Sequence, residues 1–205
     1  MMKHILLVMF LSSAAMARPT TGSVAKLDRR VATVDRTPVW QSELDETFAH
    51  AGLKTPTKEQ LTAALDSLID SIIVDHVAEA LHLTVTDAEL DMAVAEIKKQ
   101  NNIDDAGLDK ALADQHFTRD MYRVELARQV RAQKVYQLEL VPHVSVSDDE
   151  VKAAYDKVKA QNPKIDPLDK IKDTVKQSVW GEKLAAAQED WIKRRRAAAH
   201  IVRTP

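Results

Sequence analysis

Apolar residues recur at helical spacing across one long segment, and this pattern limits the possible folds more than any other feature. They are Leu61, Leu65, Leu68, Ile69, Ile72, Ile73, Val77, Ala80 and Leu81. A stripe this wide needs cover on more than one side, so the segment is expected to be a helix central to the core. Thr57 and Gln60 precede it as a capping box, in which each side chain satisfies an amide that the first turn leaves open. Composition agrees: the 205 residues include four glycines and three each of Trp, Tyr and Phe, too few for a typical sandwich or barrel. The expected fold is mostly all-α, a helical array with a minor short β element joining the N- and C-terminal segments.

That β element is expected from Val31-Ala32-Thr33-Val34, a turn at Asp35-Arg36, a return at Pro38-Val39-Trp40 and a closing strand at His200-Ile201-Val202. Ser42 is the expected N-cap of a first helix ending before Gly52, with Glu43 and Asp45 suited to the positive helix start. Thr86 and Glu89 repeat the capping box before Leu90, Val94 and Ile97, and Asn101-Asn102 ends that helix. A short helix is expected over residues 104–115, weakened by about 1 kcal/mol at Gly107 relative to alanine. Thr118 opens a longer one carrying Tyr122, Leu126 and Val130, which Pro142 stops. Ser147 and Glu150 cap another, bearing Val151, Ala154, Tyr155 and Val158. After a linker at 162–167, Asp166 is the expected cap and Pro167 the first residue of a last long helix. Leu168, Ile171, Val175 and Val179 mark its stripe, which Trp180, Leu184, Ala187 and Trp191 continue slightly rotated. Lys193 to Arg196 place positive charge at its negative end.

The first residues read as a secretory signal. Lys3 supplies the positive start, residues 5–15 a short apolar run, and Ala15-Met16-Ala17 a small-x-small site, so cleavage is expected after Ala17. The run is shorter than the about 20 apolar residues a spanning helix needs, and no later run is long enough either. No stable membrane insertion is therefore expected. Cysteine is absent, which removes disulfides, thiolate metal sites and cysteine nucleophiles together. The formal net charge is -2, so no global field favours nucleic acid. His76 and His82 face different sides of a helix, and no zinc-protease pattern, nucleophile elbow, phosphate loop or dinucleotide fingerprint occurs. No catalytic residue, metal or other cofactor is expected.

The order of elements resembles the chaperone module of SurA-type periplasmic proteins. A short strand pair leads into an N-terminal helix and a helical array around Lys99-Gln100-Asn101-Asn102. The chain ends in a tryptophan-bearing helix running from Trp191 through Ala197-Ala198-Ala199 into His200-Ile201-Val202. The likeness is densest from about Val31 to Val144 and returns over Val175 to Val202. Val85-Thr86-Asp87-Ala88-Glu89-Leu90 is its most specific piece, together with the Lys-Gln-Asn-Asn helix end. Such proteins usually carry parvulin-type prolyl isomerase domains between the helical part and the C-terminal helix. Here only Lys152 to Pro167 occupies that interval, and the glycine-rich segments of a parvulin domain are missing.

The resemblance implies a periplasmic protein that is not an enzyme, an ATP-independent holdase for unfolded polypeptides, outer-membrane proteins among them. A dedicated helical escort or subunit for one specific envelope partner is the alternative, and a cryptic prolyl isomerase the third reading. The organisation expected is a signal peptide at 1–17, a flexible mature start at 18–26 and an N-terminal chaperone-like region at 27–146. A helix and linker at 147–167 stand in place of an isomerase, and 168–205 packs back on the N-terminal region. Candidate client-binding residues are Trp40, Met92, Met121, Tyr122, Trp180 and Trp191, since large apolar and methionine side chains suit an adaptable surface. Ordinary core packing is the competing role for each tryptophan. The sequence leaves the oligomeric state open.

Overall fold

The computed structural model describes residues 28–50, 52–115 and 117–204. The expected signal at 1–17 and the flexible start at 18–26 lie outside them. Among the described residues the chain is mostly helical, as expected, with one small sheet. It divides into two compact units, the first running to Val135 and resuming at Ala198, the second comprising Tyr136–Ala197.

In the first unit, β1 (Arg30–Val34) and β2 (Thr37–Trp40) form a tight antiparallel hairpin. Asp35 takes φ 54° in its turn, a left-handed conformation that aspartate tolerates better than most residues. β3 (Ile201–Arg203) lies antiparallel on the other side of β1, giving the order β2-β1-β3. Asp35 also ties β3 in place. Its amide donates to the His200 carbonyl at 2.8 Å, and its carboxylate accepts from the His200 amide at 2.9 Å. His76 shares a 2.8 Å hydrogen bond with the Thr37 hydroxyl, fixing the hairpin to the helix behind it.

α1 (Gln41–His50) follows β2 without a loop, which corrects the expected cap. Because strand runs straight into helix, Trp40 holds the cap position and the Glu43 carboxylate accepts its amide at 2.7 Å. Ser42 lies inside the first turn, and its hydroxyl donates to Asp28. Gly52, at φ 68°, lets the chain leave α1 while the Leu53 amide bonds back to the Phe48 carbonyl at 2.9 Å.

α2 (Lys58–Ala80) has the expected capping box at Thr57 and Gln60. It buries Ala64, Leu68, Ile69, Ile73, Val74 and Ala78 beside Val31, Val34 and Val39 of the sheet and Leu44 and Phe48 of α1. Leu61, Ala80 and Leu81 are exposed, so the buried stripe is shorter than the apolar one. A helix of this length spans about 34 Å, and its two ends stand in solvent. α3 (Asp87–Asn101) starts at the Thr86–Glu89 box and stops at Asn102 in the left-handed conformation. α4 (Asp105–Asp114) is capped by Asp104, whose carboxylate accepts the Gly107 amide at 2.8 Å. Thr118 caps α5 (Arg119–Glu139) through the Met121 amide.

The second unit begins in the last turn of α5. A 3-10 turn (Val141–His143) precedes α6 (Asp148–Gln161), which has the expected Ser147–Glu150 box. α7 (Leu168–Ala198) starts one residue later than expected, so Pro167 flanks the helix and its carbonyl accepts from the Lys170 amide. The Asp166 carbonyl accepts the Tyr155 hydroxyl, and that bond fixes the connection between the helices. Lys183 to Glu150 at 2.6 Å and Lys172 to Asp148 at 2.9 Å join α7 to α6.

Candidate functional site

In the first unit, α3 and α4 are latched to α5 by charge. Arg123 donates to Asp91 at 2.7 Å and to Asp87 at 3.2 Å. Lys134 reaches the Thr84 carbonyl at 2.7 Å and pairs with Glu89. Arg119 grips Asp109 of α4 with two guanidinium nitrogens. Hydrogen bonds from Lys134 and the Thr86 amide hold the Glu89 carboxyl down to about 2. Such pairs are exposed and each contributes little to stability, yet several together fix where neighbouring helix faces lie.

Beside these latches, large apolar side chains stay exposed on α3 and α5. Met92 on α3 is 65% exposed, and Met121 and Val124, one turn apart on α5, are 37% and 54% exposed. The Asp91–Arg123 pair sets the segments carrying Met92 and Met121 side by side. Tyr122 is half-buried, and burial raises its hydroxyl above the ordinary value. On the inner side of α5, Leu126 is buried, and Glu125 is the one buried charged residue among the described core. Arg131 donates to Asp75 of α2 at 2.7 Å, with Arg128 3.7 Å from the same carboxylate. Burial raises the Glu43 carboxyl, opposed by the Trp40 amide and the nearby charge of Arg128. On α5, therefore, Glu125, Arg128 and Arg131 make charged contacts while Met121 and Val124 stay exposed.

The second unit has a cleft of about 560 Å³ lined by Leu140, His143, Val144, Ala187, Trp191 and the charged residues around them. Trp191 forms its wall and is 4% exposed. Its indole donates to Glu139, Tyr136 meets its ring edge-on at 5.7 Å, and the Arg195 guanidinium lies 5.1 Å from its centroid. Arg195 also donates to Glu139 at 2.9 Å, closing a small network around the indole. Trp180 lies about three turns earlier on the same stripe of α7 and is half-buried. Trp40 is half-buried on β2 of the first unit.

The expected residues thus separate into three settings. Met92 lies on α3, with Met121 and Tyr122 on the adjoining α5; Trp180 and Trp191 share the α7 stripe; Trp40 belongs to the hairpin. Val124 was not singled out from the sequence. Its signal was there, since it sits one turn from Met121 and off the buried Leu126 side. The cleft residues Leu140, His143 and Val144 carry no periodic signal, because they flank a 3-10 turn. Among the described residues no group of three or more His, Asp or Glu side chains could hold a metal ion, and no helix is long and apolar enough to cross a membrane.

The chain matches the family described as SurA-like N-terminal domain over residues 1–136. It is 30% identical to the Chaperone SurA of Chromobacterium violaceum over 172 residues, covering 78% of this chain and 40% of that protein. It is also 30% identical to the Chaperone SurA of a Pseudomonas fluorescens strain over 152 residues, covering 70% of this chain and 34% of the relative. The chain therefore spans less than half the length of these curated relatives. A solved structure from work on two SurA-like chaperones of Campylobacter jejuni, the virulence factor PEB4 and a periplasmic protein, shares the fold. Its TM-score is 0.62 at 14% identity, covering 86% of this chain and 99% of the other. By sequence over most of its length, and with a fold to match, the chain belongs to the SurA-like N-terminal domain family.

Proposed function

We propose that the protein is an ATP-independent periplasmic holdase that captures unfolded outer-membrane or other envelope proteins. Membership of a family whose curated relatives are named chaperones carries this reading. The surface at Met92, Met121 and Val124 supports it, since these apolar side chains stay exposed on helices held by ion pairs. Water released from such a surface, and from an apolar client segment, supplies the driving force without nucleotide. Methionine adapts its shape to varied partners, which suits clients that share no sequence. Tyr122 borders the surface, whereas Trp191 is buried, Trp40 and Trp180 are half-buried, and all three contribute packing first.

The proposed activity is capture without chemistry. In the interval where relatives are expected to carry an isomerase, the described residues form α6 and the short connection to α7. Titrating the protein into two unrelated, fluorescently labelled outer-membrane proteins, each diluted from urea, tests the reading by anisotropy. Binding of both is expected. Binding of neither would contradict the proposal, and binding of one alone would favour a dedicated escort. A proline-peptide assay is expected to show no isomerisation above the uncatalysed rate, and a clear acceleration would favour the enzyme.

A further inference from the structure

Past Ala17, the sulfur of this chain consists of two thioethers. The sequence has six methionines and no cysteine. Met1, Met2, Met9 and Met16 precede the expected cleavage point, which leaves Met92 and Met121. Both are surface residues, at 65% and 37% exposure, and neither belongs to the buried core. The Arg123–Asp91 bond at 2.7 Å places the helix segments that carry them alongside each other. The two oxidisable groups are therefore both exposed on neighbouring helices, at positions assigned above to client capture.

Given the holdase reading, we propose that Met92 and Met121 are an oxidation site through which peroxide weakens client capture. The thioether sulfur attacks one peroxide oxygen, the O–O bond breaks, and an S–O bond forms. Sulfur loses two electrons, and the peroxide is reduced to water as the second oxygen takes up the proton. The product is a sulfoxide, polar where the thioether was apolar. Reaction follows exposure, so both positions are accessible without unfolding. Seating a client's apolar segment against a sulfoxide strips water from that oxygen and returns no hydrogen bond. Val124 stays apolar, so capture falls without vanishing. The folded core is expected to lose little, because neither methionine belongs to it.

The test uses the purified protein treated with hydrogen peroxide, then freed of it. Mass spectrometry is expected to find one added oxygen on each of Met92 and Met121, with circular dichroism and melting temperature unchanged. The dissociation constant for a labelled, urea-denatured outer-membrane protein is expected to rise about tenfold. The double variant Met92→Leu, Met121→Leu should keep its affinity through the same treatment. Met92→Gln, Met121→Gln should be weakened without any oxidant. Unchanged affinity after both sulfurs are oxidised would overturn this proposal and leave the holdase reading standing. An equal loss in the leucine variant would also overturn it, by moving the effect elsewhere. Failure of the untreated protein to bind any client would overturn both.

Discussion

Trp191 shows how one residue can organise a region. Its indole donates to Glu139, meets the edge of Tyr136 and lies beneath Arg195, so four side chains from two helices share one position. Trp191→Ala should destabilise the second unit by about 3 kcal/mol, the usual cost of emptying a tryptophan site, as measured by urea unfolding. Trp40→Ala should cost less, because its side chain is only half-buried. Glu43 acts in the opposite sense. Burial raises its carboxyl, so the ionised form is disfavoured in the folded state and stability from this group falls as pH rises through the folded value. Glu43→Gln keeps an acceptor for the Trp40 amide. It should raise the melting temperature slightly at pH 7 and remove that part of the pH dependence above the ordinary carboxylate value.

At the scale of elements, helix starts carry much of the order. Thr86→Ala removes the cap of α3 and should cost about 1 kcal/mol, read from chemical unfolding. Glu89 completes the same box and pairs with Lys134, which holds its carboxyl at about 2 against an ordinary 4.5. A lowered carboxyl stabilises the fold above its unfolded value, and that stabilisation is lost as pH falls through the folded one. Acid should therefore loosen the start of α3 between about pH 4.5 and 2, visible as amide exchange at Glu89 and Leu90. Local rules made these starts legible: the boxes at Thr57, Thr86 and Ser147 stand where their spacing put them. Ser42 misled, because the choice of cap depended on where β2 ended, and strand pairing with β1 decides that. The pairing of β1 with β3 was legible only because both ends of the chain carry short apolar runs.

At the scale of the whole molecule, the proposed capture would rest on what the folded chain leaves uncovered. Periodicity located the core faces of α2 and α5, yet it could not show that Met92, Met121 and Val124 remain outside. That outcome depends on how Arg123 and Lys134 hold α3 against α5, and such partners lie far apart in sequence. The candidate surface was therefore only half legible: its residue types were visible, its assembly was not. If it captures clients, Met92→Asp with Val124→Asp should abolish most of the activity while the melting temperature stays within about 2 °C, since neither side chain is buried. The central claim is capture without nucleotide, and light scattering tests it most directly. A urea-denatured outer-membrane protein is diluted into buffer lacking ATP, with and without the purified chain. The account predicts suppressed aggregation near equimolar amounts, and undiminished scattering at several-fold excess would contradict it.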